Sequence, residues 1–120
     1  MADVAALVDD LFFQSKMMET ARQVGVDLCA CSTPEALAAE ISAGAPRLVV
    51  IDLNAQGNPL EAVQQVLSLG KGIPLIAYLS HVQTDLAESA RAAGCLDVMP
   101  RSKFTRDLAA IFARAKSKPS

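Results

Sequence analysis

The sequence predicts an α/β domain built on one five-stranded, doubly wound parallel sheet with helices on both faces. Three observations predict it. Short apolar runs alternate five times with longer amphipathic stretches, so the hydrophobic period switches repeatedly between strand and helix. The runs are mostly continuous rather than alternating, as in strands buried on both faces. The length, 120 residues, suits one domain over positions 1–120. Strands and helices in strict alternation then require parallel pairing through right-handed crossovers.

The first apolar run, Val4-Ala5-Ala6-Leu7-Val8, stops at Asp9-Asp10. Residues 12–24 read as a helix with Phe13, Met17, Thr20 and Ala21 near one face, and Gly25 as its stop. Residues 26–31 form a second, more polar strand, expected nearer an edge. Ser32-Thr33-Pro34-Glu35 opens the next helix with a hydroxyl cap, a first-turn proline and a glutamate for a capping box. Ala36, Leu37 and Ile41 give that helix its apolar face, until Gly44.

Leu48-Val49-Val50-Ile51 is the clearest strand and ends in Asp52. Asn58-Pro59-Leu60-Glu61 repeats the cap, proline and glutamate pattern, opening a helix through Val63, Val66 and Leu67 to breakers at Gly70 and Gly72. Residues 73–79 form the fourth strand, residues 84–93 an alanine-rich helix stopped by Gly94, and residues 96–99 a short fifth strand. Ser102 is placed to cap the last helix, whose Leu108, Ile111 and Phe112 face inward, and the tail beyond it is polar.

Composition narrows the function. Hydrophobic residues are 52% and charged residues 20%, enough apolar material for one core and unlike a disordered chain. A net charge of −2 with no basic stripe argues against phosphate-driven nucleic-acid binding. Four Phe, one Tyr and no Trp offer little surface for stacking bases. No apolar run reaches the ~18–20 residues of a membrane helix, and Met1-Ala2-Asp3 lacks the charged and apolar start of a secretory signal. Cys29, Cys31 and Cys95 lack metal-type spacing. Cys29 and Cys31 are read as pointing to opposite faces of the second strand, and all three as small buried residues of a reducing compartment. These features point to a cytoplasmic protein without nucleic-acid or membrane partners.

In sheets of this class, ligands bind beyond the carboxyl ends of the strands where strand order reverses. The first and third strands flank that point, so Asp9, Asp10 and Asp52 are expected to share one shallow pocket. Carboxylates crowded in this way repel one another and suit a hard cation such as Mg²⁺. Asp10 has a second candidate role, as the cap of the first helix.

With these residues placed, the sequence resembles a response-regulator receiver domain, the flavodoxin-like (βα)5 phospho-accepting module of two-component signalling. Leu7-Val8-Asp9-Asp10 resembles its acidic pair, and Val49-Val50-Ile51-Asp52-Leu53 the strand carrying its phospho-acceptor. Ile73-Pro74-Leu75-Ile76-Ala77 resembles its fourth strand, and Ala92-Ala93-Gly94-Cys95 the turn before its fifth. The resemblance implies Asp52 as phospho-acceptor, with Mg²⁺ held by Asp9, Asp10, Asp52 and the Asn54 carbonyl. Such a metal offsets charge on the transferring phosphoryl oxygens. It further implies a sensor histidine kinase or phosphotransfer protein as donor and a downstream protein target. Helices four and five with strand five would form a partner or homodimer surface. A signalling module of this kind is not an enzyme in its own right.

Other positions depart from the family. Its switch hydroxyl falls on Leu79, with Ser80 next as a candidate substitute, and its aromatic switch falls on Val98. Its lysine falls on Arg101, which keeps the charge and can grip a phosphoryl group through two bonds. Its following proline falls on Ser102. Two readings follow: a stand-alone receiver phosphorylated on Asp52, or a pseudo-receiver acting as a phosphorylation-independent interaction module. His81, the one histidine, is read as an exposed loop residue, and Met17 and Met18 as fillers of core and groove. A haloacid-dehalogenase-type phosphatase would need its Asp-x-Asp after the first strand, whereas Asp52-Leu53-Asn54 follows the third. A flavin module rests on fold analogy alone, with no phosphate loop to support it.

Overall fold

A computed structural model describes residues 2–44, 46–55, 58–69, 72–79 and 84–116; Gly70, Ser80, His81 and the polar tail lie outside them. The apolar runs become β1 (Val4–Leu7), β2 (Leu28–Cys31), β3 (Leu48–Asp52), β4 (Leu75–Leu79) and β5 (Asp97–Pro100). They alternate with α1 (Leu11–Val24), α2 (Pro34–Ala43), α3 (Pro59–Ser68), α4 (Thr84–Ala93) and α5 (Arg101–Arg114). The strands form one parallel sheet in the order β2-β1-β3-β4-β5, so order reverses between β1 and β3. β2 lies at an edge, as does β5.

Alternation along each strand divides the core in two. Val4, Ala6, Leu48, Val50, Ile76, Tyr78 and Met99 pack with α1 and α5 through Phe13, Met17, Phe104, Leu108 and Phe112. Ala5, Leu7, Val49, Ile51, Ala77, Leu79 and Val98 pack with α2, α3 and α4 through Leu37, Ile41, Val63 and Ala90. Each Leu, Ile or Val removed from water here contributes about 1.5–3 kcal/mol. On the α1/α5 side the rings of Phe13, Tyr78 and Phe104 form one cluster, with Tyr78 stacked on Phe104 at 4.6 Å between centroids. No helix among the described residues is long and apolar enough to cross a membrane.

Several ends differ from the sequence expectation for local reasons. β4 begins at Leu75 rather than residue 73, because Pro74 has no N–H to give the ladder, although its carbonyl accepts from Val49. β2 begins at Leu28 rather than residue 26, because the Val26 N–H closes the end of α1 on the Ala21 carbonyl. Thr33 caps α2 through the Ala36 N–H at 3.1 Å, which puts Glu35 one residue short of the capping-box position. Ser102 is not the cap of α5: the helix begins at Arg101, with Pro100 at the cap position and no side-chain cap bond.

The expectation for Cys29 and Cys31 is also corrected. Residues two apart on a strand share a face. Their sulfurs are 3.9 Å apart.

Candidate functional site

Register brings the acids together. Leu7 of β1 pairs with Ile51 of β3, so Asp52, which follows Ile51, and Asp9-Asp10, which follow Val8 just past the end of β1, emerge at one edge beside the strand-order reversal. Asp52 is 7% exposed, the one buried charged side chain among the described residues. Its Oδ1 accepts from the Asn54 N–H at 2.8 Å. Burial pushes the Asp52 carboxyl above its ordinary range, and the charges of Asp9 and Asp10 add to the rise. The Asn54 N–H and the Arg101 charge oppose it.

Asp10 does two jobs with two oxygens. Oδ1 caps α1, accepting from the N–H groups of Phe12 at 3.0 Å and Phe13 at 3.2 Å. Oδ2 accepts from Arg101 Nη2 at 2.8 Å. The Arg101 bond, followed by the Phe13 N–H, holds the Asp10 carboxyl below its ordinary range. Arg101 reaches this position from the first turn of α5 by lying over the Phe13 ring, with its guanidinium carbon 4.3 Å from the centroid.

The donor chemistry here is all oxygen, and the crowded negative charge at Asp52 suits Mg²⁺ rather than a soft metal. As the side chains lie, Asp10 is given over to Arg101 and the helix. Among the described residues, no three His, Cys, Asp or Glu stand together in a group able to hold an ion.

Leu79 and Val98, where the resemblance would put the two switch residues, are both buried in the apolar layer beneath α2, α3 and α4. Ser80 and His81 lie outside the described residues. Three features of the site escaped the sequence reading: the pairing of Arg101 with Asp10, the seat of Arg101 on Phe13, and Tyr78. Tyr78 pairs with Asp52 across β3 and β4 and is 1% exposed. Its hydroxyl has no hydrogen-bond partner among the described residues. Burial first, and the Asp52 charge second, drive its pKa far above the ordinary tyrosine value. Strand parity could have found it, since a register opposite Asp52 puts its ring on the same face.

No protein-family model matches the sequence, and no curated protein matches it. Solved structures do. The receiver domain of NtrX from Brucella abortus shares 21% identity at a TM-score of 0.83, covering 94% of this chain and 97% of that one. CheY4, a chemotaxis protein of Vibrio cholerae, shares 16% identity at a TM-score of 0.82, covering 97% and 99%. A longer NtrX structure shares 21% identity at a TM-score of 0.83 over 95% of this chain but 26% of its own, so this chain spans about a quarter of that protein. The fold is therefore the flavodoxin-like (βα)5 fold of response-regulator receiver domains.

Proposed function

We propose that this chain is a receiver-type signalling module in which Asp52 accepts a phosphoryl group. One observation carries this reading: on a receiver fold, the buried acid at the carboxyl end of β3 lies beside the Asp9-Asp10 pair that follows β1. An Asp52 carboxylate oxygen attacks phosphorus, and the bond from phosphorus to the donor breaks. Mg²⁺, when bound, neutralises charge on the phosphoryl oxygens. Asp9, Asp10, Asp52 and the Asn54 carbonyl are the groups that would hold it, with Asp10 shared between the ion and Arg101. Arg101 supplies positive charge at the pocket's rim. The donor would be a sensor histidine kinase or phosphotransfer protein. Output would pass to a downstream protein, with α4, β5 and α5 as the contact or homodimer surface.

A second reading, a phosphorylation-independent interaction module, is favoured by Leu79 and Val98, apolar side chains where the family couples phosphate to its surface. Mass spectrometry after incubation with acetyl phosphate and Mg²⁺, beside an Asp52→Asn control, separates the two. A phosphoryl adduct on the wild type alone supports the first. No adduct, under conditions that modify an ordinary receiver, supports the second.

A further inference from the structure

Cys29 and Cys31 lie on one face of β2 with their sulfurs 3.9 Å apart. Cys31 is 6% exposed, whereas Cys29 is half-buried and open to small reagents. We propose that this pair is an oxidation site, closing into an intrachain disulfide when a peroxide reaches Cys29. The proposal is independent of any chemistry at Asp52.

Closure requires β2 to shorten locally, because bonded cysteines hold their Cβ atoms about 3.5–4.5 Å apart. A strand rise of about 3.3 Å per residue puts Cα atoms two positions apart at about 6.6 Å, near the upper end of the ~4.4–6.8 Å that disulfides span. The sulfurs need to approach by less than 2 Å to bond, given an S–S length of about 2.05 Å. β2 is an edge strand paired on one side only, with β1. It can therefore shorten locally without breaking a second ladder. The two sulfurs also feel each other electrostatically. Burial, then the neighbouring Cys29 and the Glu40 charge, push the Cys31 thiol up to about 12. Cys31 thus keeps its proton, and the more accessible Cys29 is the first to react.

The chemistry balances with one peroxide. The Cys29 thiol gives up its proton and the thiolate attacks an oxygen of hydrogen peroxide; an S–O bond forms, the O–O bond breaks, and the hydroxide released takes up that proton and leaves as water. The Cys31 sulfur then attacks the sulfenic sulfur. The S–S bond forms, the S–O bond breaks, and the Cys31 proton departs with the hydroxyl as a second water. Two thiols lose two electrons while hydrogen peroxide is reduced to two waters. Cys95, half-buried before β5 with its thiol pushed up to about 11 by burial, is an internal reference in the same chain.

The test treats the folded full chain with hydrogen peroxide, alkylates with iodoacetamide and maps unreduced peptides by mass spectrometry. The peptide carrying Cys29 and Cys31 should lose two hydrogens, refuse both alkyl groups, and regain them after dithiothreitol. Cys95 should remain open to alkylation. In Cys31→Ser the bridge should vanish and Cys29 should be trapped by dimedone as its sulfenic acid. Undiminished alkylation of the pair, bridges to Cys95 or between chains, or sulfinic acid at Cys29 without a bridge would each overturn the proposal. The wild-type result decides the matter even if a serine variant folds poorly.

Discussion

Arg101 and Asp10 join the first turns of α5 and α1: the guanidinium meets the carboxylate at 2.8 Å while lying on the Phe13 ring. Each side chain keeps about a third of its surface exposed, at 34% for Arg101 and 37% for Asp10. Solvent therefore screens the charge attraction. What distinguishes the pair is its place. Arg101 pairs with one of the three acids at this edge of the sheet, so a cation binding there would meet a competitor already bound to Asp10.

Replacing Arg101 by Gln should let the Asp10 carboxyl rise toward its ordinary range, because its largest stabilising partner is gone. Arg101→Lys should restore part of the depression. Carboxyl-carbon NMR titration of Asp10 reads this directly. An Asp10 that titrates identically in all three proteins would show that the helix N–H groups, not the arginine, set its pKa.

Asp52 should make folding pH-dependent with a definite sign. Its pKa is raised in the folded chain, so the unfolded chain releases the proton first. Stability from this group therefore falls as pH rises from the ordinary carboxylate value of about 4 through the raised folded value. Asp10 works the other way, adding stability above the ordinary range and losing it as pH falls through its lowered value. Asp52→Asn isolates the first effect, since Asn can still accept from the Asn54 N–H. Urea denaturation should find the variant more stable than wild type at neutral pH, with the advantage gone in acid. An equal gap at both pH values would contradict the assignment.

Tyr78→Phe removes a buried hydroxyl that has no partner among the described residues and keeps the ring stacked on Phe104. The change should stabilise the fold by about 1 kcal/mol, the scale of an unsatisfied buried polar group. Tyr78→Ala, by contrast, should cost about 3–5 kcal/mol through the cavity it leaves. Denaturation followed by circular dichroism measures both. A Phe variant less stable than wild type would mean that the hydroxyl is bonded in solution.

Gly94 has φ +121°, and a Cβ placed there would stand 2.8 Å from Leu67 Cδ1 of α3. Gly94→Ala should therefore destabilise by roughly 1–3 kcal/mol. Gly72, at φ +65° with nothing among the described residues within 4 Å of an added Cβ, should suffer only the backbone penalty of about 1 kcal/mol. Thermal melts of the two variants should rank in that order.

The architecture was legible because its signals are local. Val49-Val50-Ile51 could hardly be other than a buried strand, and Thr33-Pro34 and Asn58-Pro59 mark the helix starts that the caps occupy. The gathering of Asp9, Asp10 and Asp52 at one edge followed from topology alone. What escaped depends on three-dimensional reach. No spacing rule tells a long arginine to fold over Phe13, 88 positions earlier, and turn to Asp10. Tyr78 was hidden by its sequence context, a plain apolar run in which its hydroxyl drew no notice. Cys29 and Cys31 were misjudged for a simpler reason, a parity slip over which residues of a strand share a face.

The sheet order also dictates when each part of the chain can fold. Val4 of the interior strand β1 pairs with Leu28 on one side but with Leu48 on the other. Chain emerging from a ribosome at about 5–20 residues per second offers β1 its edge neighbour first. Its second neighbour follows a second or more later. In that interval the β1–β2 pair has an open flank of apolar residues and unpaired backbone groups. Nascent copies are thus most exposed to association before β3 appears, and the same two strands are later the edge and its interior neighbour in the five-stranded sheet.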